Sequence, residues 1–209
     1  MSTPHPAGAA GFWTLDRVAD ALGPLLVAAR PRGARPLHAV CTDTRALVQG
    51  DVFVALRGES HDAHDYLAQA VASGAAALVV SRLEPARALG VPVYHVRDTL
   101  TALGQLGRYR RRAWNGPVIA IAGSNGKTTT KELVRAALGG TLEVHATTGN
   151  LNNQVGVPLT LLAIPDGADV AVVEIGTSSP GEVALLRALA EPSVAVVTSV
   201  GEEHLEGLG

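Results

Sequence analysis

Hydrophobic and polar positions along this chain fall into two rhythms. Up to about residue 114, short apolar runs alternate with irregular polar stretches. A helix is predicted over 15–22, with Thr14 placed as its N-cap. Extended segments follow at 37–42 and 51–56, then a helix over 65–73 ended by Gly74, then short strands at 76–80 and 91–96. Asp98 is positioned to cap a helix running to about Trp114. Asn115-Gly116-Pro117 then breaks the pattern, and the domain boundary is placed there, giving domains 1–114 and 115–209.

Beyond the break the rhythm is regular. Strand 118–122, helix 127–138, a strand near 142–146, a helix near 153–163, strand 169–174, helix 181–190 and strand 194–199 follow one another. Alternation at this spacing implies an α/β fold with a parallel sheet and right-handed crossovers. Ligands of such sheets sit at the carboxyl ends of the strands, and three polar loops fall there, at 123–128, 174–179 and 201–206. No internal repeat is present. A doubly wound nucleotide-binding sheet holds about five or six strands, and this stretch supplies about four. The expected architecture is therefore a small N-terminal α/β domain followed by an incomplete parallel-sheet domain of P-loop type, in a chain that is part of something longer.

The segment 118–130 carries the sharpest chemistry. Five small apolar residues lead into Gly123-Ser124-Asn125-Gly126, which opens directly onto a helix beginning near Lys127. Backbone N–H groups of such a loop and helix N-terminus face phosphate oxygens, and the helix dipole adds to the attraction. Lys127 would reach the β- and γ-phosphates as a point charge, and the Thr128 hydroxyl would ligate Mg²⁺. The eight-residue P-loop pattern asks for glycine where Ile121 stands, so this is one of the shorter variants. The alternative, a plain strand–turn–helix with a surface lysine, leaves the coincidence of strand, two glycines, lysine and hydroxyls unexplained.

Composition narrows the classes. At 47% hydrophobic residues and 17% charged, 209 residues make packed domains rather than a disordered chain. Mean hydropathy is +0.22. Aromatics are only 3%, so the cores must be built from Ala, Val, Leu and Ile. A net charge of −2 gives no reason to expect nucleic acid as a partner. The single cysteine, Cys41, cannot form an internal disulfide, which suits a reducing compartment. No basic leader precedes an apolar core at the N-terminus, and no apolar run approaches the ~18 residues of a membrane span. A soluble, cytoplasmic monomer without membrane insertion is expected.

Other constellations are less specific. Glu174 closes the apolar strand 169–174, and His204 lies just beyond strand 194–199. A carboxylate and an imidazole on the rim of the phosphate loop suit a divalent cation, although a helix-capping Glu and a surface His would read the same way. The amide-rich run 147–158 offers donors and acceptors for peptide or phosphate groups, or equally turn and N-cap chemistry. His61, Asp62, His64 and Asp65 are crowded along one loop in a way that makes a shared metal geometry awkward. Arg108, Arg110, Arg111 and Arg112 are expected to meet the helix dipole and water at a helix C-terminus.

Taken together, four segments resemble the Mur ligase family of ATP-dependent amide ligases of peptidoglycan synthesis. They are Asp43-Thr44-Arg45 with 50–56, GSNGKTTTKE at 123–132, GNLNNQVGVPLTLL at 149–162, and 174–182 continuing to His204-Leu205-Glu206-Gly207. The GNLNN run and the KTTTKE continuation favour the member that takes UDP-muramoyl tripeptide and D-alanyl-D-alanine. A sister ligase adding one amino acid, or a nucleotide-binding module without turnover, is the alternative. The resemblance implies a first domain for the UDP portion of the substrate, with Thr44 and Arg45 at that site. It implies a central domain in which Gly123, Ser124, Asn125, Gly126, Lys127, Thr128 and Thr129 hold ATP, with Thr128 on a first Mg²⁺. Glu174 and His204 would ligate a second Mg²⁺, making Lys127, Glu174 and His204 the catalytic set. Asn150, Asn152 and Asn153 would lie near the substrate and phosphate path. Two departures stand out. Asp62-Ala63-His64 replaces the family's Asp-Gly-His, which would strain the loop if that glycine needs positive φ. The family's modified lysine is expected beyond Gly209.

Overall fold

The computed structural model describes residues 11–27, 31–58 and 60–201. Its α/β fold is built on two separate four-stranded parallel sheets, one in each of two compact units, Met1–Leu106 and Gly107–Gly209.

In the first unit, helix α1 (Leu15–Leu22) buries Leu15, Val18, Ala19 and Leu22, the stripe of an amphipathic helix. Thr14 Oγ1 accepts the Arg17 N–H at 3.2 Å, the expected cap. Strands β1 (Val40–Cys41), β2 (Val52–Val54), β3 (Ala77–Val80) and β4 (Val93–His95) pair side by side in that order, all parallel. β1 to β3 are buried at every position, the apolar run of a sheet covered on both faces. The expected helix over 65–73 forms in two pieces, a 3₁₀ turn at Ala63–Tyr66 and then α2 (Leu67–Ala72). The buried His64 ring pins the first piece. Its Nδ1 meets the Asp62 carboxylate, and its Nε2 accepts the N–H groups of Ser81 (2.9 Å) and Arg82 (3.2 Å). Among the described residues only Asn115 and Glu191 combine a side chain with positive φ, so Ala63 carries no left-handed strain.

Helix α3 (Thr99–Trp114) is capped by Asp98, whose Oδ1 accepts the Leu100 and Thr101 N–H groups at 2.7 and 3.1 Å. Asn115, at φ +59°, ends it in the left-handed conformation that Asn tolerates. The second unit begins inside α3, ahead of this break.

That unit contains β5 (Val118–Ala122), α4 (Lys127–Leu138), β6 (Val144–Ala146), α5 (Gly156–Leu162), β7 (Val170–Glu174), α6 (Glu182–Ala190) and β8 (Val194–Val197). The strand order is β6-β7-β5-β8, all parallel. Its core gathers Val118 and Ala120 of β5, Ala171 and Val173 of β7, Val157 and Leu161 of α5, and Leu186 and Leu189 of α6. Strand side chains alternate between faces, so Val170, Val172 and Glu174 point the other way, toward α4. The chain leaves β5 on the β7 side, then crosses to the β8 side. The carboxyl end of β5 is thus the switch point at which such sheets bind ligands.

The arginines of α3 depart from expectation. Arg110 and Arg111 are buried rather than solvated. Arg110 donates to Ile164 O and Asp166 Oδ1, both at 2.6 Å, and Arg111 donates to Ala190 O and Glu191 O at 2.8 and 2.9 Å. Instead of meeting water, Arg111 satisfies carbonyls left open at the end of α6. Arg108 and Arg112 both pair with Glu191. Among the described residues no helix is long and apolar enough to cross a membrane.

Candidate functional site

Gly123 takes φ +132° and Gly126 φ +84°, so the chain can fold back between β5 and α4 in conformations closed to most side chains. Gly123 is also enclosed: a Cβ there would stand 2.3 Å from Thr198 Oγ1 and 2.9 Å from Ser199 O. The loop is fastened to the end of β8. Ser199 O accepts the Ser124 N–H at 3.0 Å, Ser199 Oγ accepts the Asn125 N–H at 2.9 Å, and Thr198 Oγ1 donates to Asn125 O at 2.6 Å. Ser124 Oγ and the Gly201 backbone bond each other in both directions at 3.0 Å. The Lys127 ammonium folds over the loop and donates to Gly123 O and to Ser124 O (3.0 Å). Its charge therefore lies at the mouth of the cradle, beside the first turn of α4.

Glu174 is 3% exposed at the end of β7 and meets that turn directly. Thr128 Oγ1 donates to Glu174 Oε2 at 3.0 Å, and Asn152 Nδ2 donates to Glu174 Oε1 at 2.9 Å. The backbone is tied as closely. The Glu174 N–H donates to Thr147 Oγ1 at 2.9 Å, and the Gly176 N–H donates to Asn152 O at 2.7 Å. A buried carboxylate and a hydroxyl in contact, one turn from the phosphate cradle, form a hard oxygen set suited to Mg²⁺. Among the described residues no group of three or more His, Cys, Asp or Glu side chains could hold a metal, and the loop with His61 and Asp62 forms no such group. His204 lies outside the described residues.

The other amides divide. Asn153 Oδ1 accepts the Val155 and Gly156 N–H groups at 3.1 and 2.8 Å, closing the turn that leads into α5. Asn150 is exposed, and its carbonyl accepts the Asn152 N–H at 2.8 Å. Gly156 is obligatory by packing, since a Cβ there would stand 2.3 Å from the Leu151 backbone. Beside the cradle lies an apolar cleft of about 670 Å³ lined by Gly123, Ser124, Pro180, Val183, Val197 and Val200, among others.

In the first unit, Thr44 and Arg45 line a separate cleft of about 590 Å³ with Asp43, His61, Tyr66 and Gln69. Arg45 is forked onto Asp43, Nε to Oδ1 at 2.9 Å and Nη2 to Oδ2 at 2.6 Å, which fixes the guanidinium at the rim.

Sequence reasoning gave no role to Lys131, Thr198 or Ser199, and took in Thr147 only as part of the run 147–158. The two hydroxyls after β8 carried a usable signal, being polar residues at the carboxyl end of a parallel strand. Lys131 carried none, because a lysine within a helix reads as solvated.

A parallel sheet with a glycine loop at its first βα turn, and a carboxylate from the adjacent strand beside the first helical turn, is the arrangement of a P-loop-type α/β domain. The Mur ligase middle domain family matches residues 121–209, and the Mur ligase family catalytic domain matches residues 36–111. The chain belongs to the Mur ligase family. It is similar to the UDP-N-acetylmuramoyl-tripeptide–D-alanyl-D-alanine ligases of Bacillus subtilis, 46% identical over 173 residues, and Escherichia coli, 44% identical over 173 residues; each alignment takes in 83% of this chain and 38% of the relative. Among solved structures, MurF from Acinetobacter baumannii superposes with a TM-score of 0.84 at 38% identity over 92% of this chain and 42% of that one. MurF from Thermotoga maritima in complex with ADP gives 0.73 at 34% identity over 80% and 38%. The chain thus spans about 38% of the length of the curated relatives it matches.

Proposed function

We propose that this chain is the donor- and nucleotide-binding portion of a cytoplasmic, ATP-dependent ligase that joins D-alanyl-D-alanine to UDP-N-acetylmuramoyl-tripeptide. The observation that carries the reading is the meeting of Thr128 and Glu174 beside the 123–126 cradle. The first unit takes the UDP portion in the cleft of Thr44 and Arg45, and the second takes ATP on Gly123 to Thr129. Thr128 and Glu174 would hold Mg²⁺, which supplies charge neutralisation at the phosphates.

In the reaction so assigned, the terminal carboxylate of the tripeptide attacks the γ-phosphorus of ATP, giving an acyl phosphate and ADP. The amine of D-alanyl-D-alanine attacks that carbonyl, a tetrahedral adduct forms, and phosphate leaves with the C–O bond electrons. Lys127 offsets charge on the transferring phosphoryl group, and the loop amides orient it. With this site the chemistry is chiefly positioning and electrostatics.

Calorimetric titration of the chain with UDP-muramoyl tripeptide and, separately, the dipeptide tests the donor assignment. The expected result is tighter binding of the tripeptide. Preference for the dipeptide would assign the chain to a sister ligase that adds a single amino acid, and binding of neither would remove the donor role from the first unit.

A further inference from the structure

Helix α4 is seated on its sheet in an unusual way. Its one buried residue is a lysine, Lys131, 3% exposed, while Leu133 on the same helix is 66% exposed. Burying an ammonium is costly unless its protons are taken up by acceptors. Here they are. Lys131 Nζ donates to Thr147 O at 2.8 Å and pairs with Glu132 Oε1 at 3.1 Å.

Thr147 in turn is the residue that fixes the end of β7. Its own N–H donates to Val172 O at 3.0 Å, and its hydroxyl accepts the Glu174 N–H at 2.9 Å. From Thr147 the chain runs on to Asn152, whose amide donates to Glu174 Oε1. Lys131 also lies one turn beyond Thr128, which donates to Glu174 Oε2. The lysine therefore closes a ring. It joins the phosphate-loop helix to the loop after β6, and that loop grips Glu174 by both backbone and side chain. A leucine at this position would bury more comfortably but would leave the Thr147 carbonyl without its donor.

We propose that Lys131 is a positioning residue for the metal-binding carboxylate. It sets the distance between Thr128 and Glu174 by holding Thr147, without touching nucleotide or cation. The inference rests on the reading of Thr128 and Glu174 as the Mg²⁺ site.

The test is the Mg²⁺ concentration giving half-maximal binding of ADP to the 209-residue chain, measured for the wild type, Lys131→Met, Thr147→Val, Lys131→Arg and Glu174→Gln, alongside ADP affinity without Mg²⁺ and circular dichroism of each. Lys131→Met and Thr147→Val should each raise the Mg²⁺ requirement about tenfold, the worth of roughly one lost buried hydrogen bond. Metal-free ADP affinity should stay within about twofold, because the 123–126 amides and Lys127 are untouched. Lys131→Arg, which keeps a donor, should recover part of the loss. A merely structural lysine would lower stability without separating the two affinities.

Thr147→Val keeps the carbonyl that Lys131 holds and removes the hydroxyl that accepts the Glu174 N–H, so it tests the next link, from Thr147 to Glu174, if Lys131→Met does not fold. An unchanged Mg²⁺ requirement in whichever of these variants folds overturns the proposal, provided Glu174→Gln shifts it. If Glu174→Gln also leaves the requirement unchanged, the metal site itself is wrong and the proposal falls with it.

Discussion

At the scale of single residues, the site rests on a few contacts that admit no substitute. Gly123 has both a φ that side chains avoid and no room for one, with Thr198 Oγ1 2.3 Å from where a Cβ would stand. Gly123→Ala should cost about 1–3 kcal/mol through overpacking. Since the atoms that must shift are the β8-end residues fastening the loop, ADP affinity should fall about tenfold or more while the circular dichroism spectrum is kept. Unaltered affinity in a folded variant would show that the loop is not shaped by this contact. Glu174 was legible in the sequence because an acidic residue closing an apolar strand is conspicuous. Its grip was not. Asn152 and Asn153 are adjacent and chemically identical, yet one holds the carboxylate and the other closes the turn into α5. Only the path of the backbone after β6 separates those roles, and amide side chains serve both. Lys131 was hidden for a different reason: periodicity sorts residues by polarity, and a buried ammonium violates that sorting.

At the scale of elements, the strongest patterns were legible nearly to the residue. The strand Val118–Ala122 and helix Lys127–Leu138 lie where alternation and loop chemistry placed them. Ends shifted where a side chain or loop bond intervened: α5 starts at Gly156, after a turn closed by Asn153 Oδ1, and β8 stops at Val197, where Thr198 turns into the 123–126 loop. The C-terminus of α6 falls at Ala190, where the sequence placed it, but what caps it there was not legible. Its C-cap is Glu191, a non-glycine residue at φ +44°, held there by Arg108, Arg111 and Arg112 of α3. The Arg112 guanidinium, with Arg108 behind it, outweighs partial burial and holds the Glu191 carboxyl down to about 2. An unfolded Glu titrates near 4.3. The stabilisation is therefore complete above about pH 4.3 and is lost as pH falls toward 2. Asp62 titrates in the same window: burial pushes its carboxyl up, but the His64 N–H and ring and Arg82 prevail and bring it to about 2. Glu191→Gln should thus make the decline of melting temperature between pH 5 and 2.5 shallower without abolishing it. An identical slope in the variant would show that the arginine cluster contributes nothing to acid stability.

At the scale of the molecule, each unit carries its own parallel sheet and its own cleft, and the two clefts present different chemistry. The first offers a forked arginine and a hydroxyl. The second offers a glycine loop with a lysine, a hydroxyl and a buried carboxylate. The two-sheet α/β architecture and the family were both legible in the motifs, whereas the tertiary contacts that hold the cradle were not, since they join residues more than seventy positions apart, such as Ser124 and Gly201. Residues 123–129 with Glu174 are proposed as a Mg²⁺-dependent nucleotide site. Calorimetry of the 209-residue chain with a non-hydrolysable ATP analogue, with and without Mg²⁺, tests it most directly when paired with Lys127→Ala. The expected result is saturable binding that Mg²⁺ strengthens, and a loss of about a hundredfold in the variant, in line with removing a charge-stabilising group. Binding that ignores both Mg²⁺ and Lys127 would contradict it.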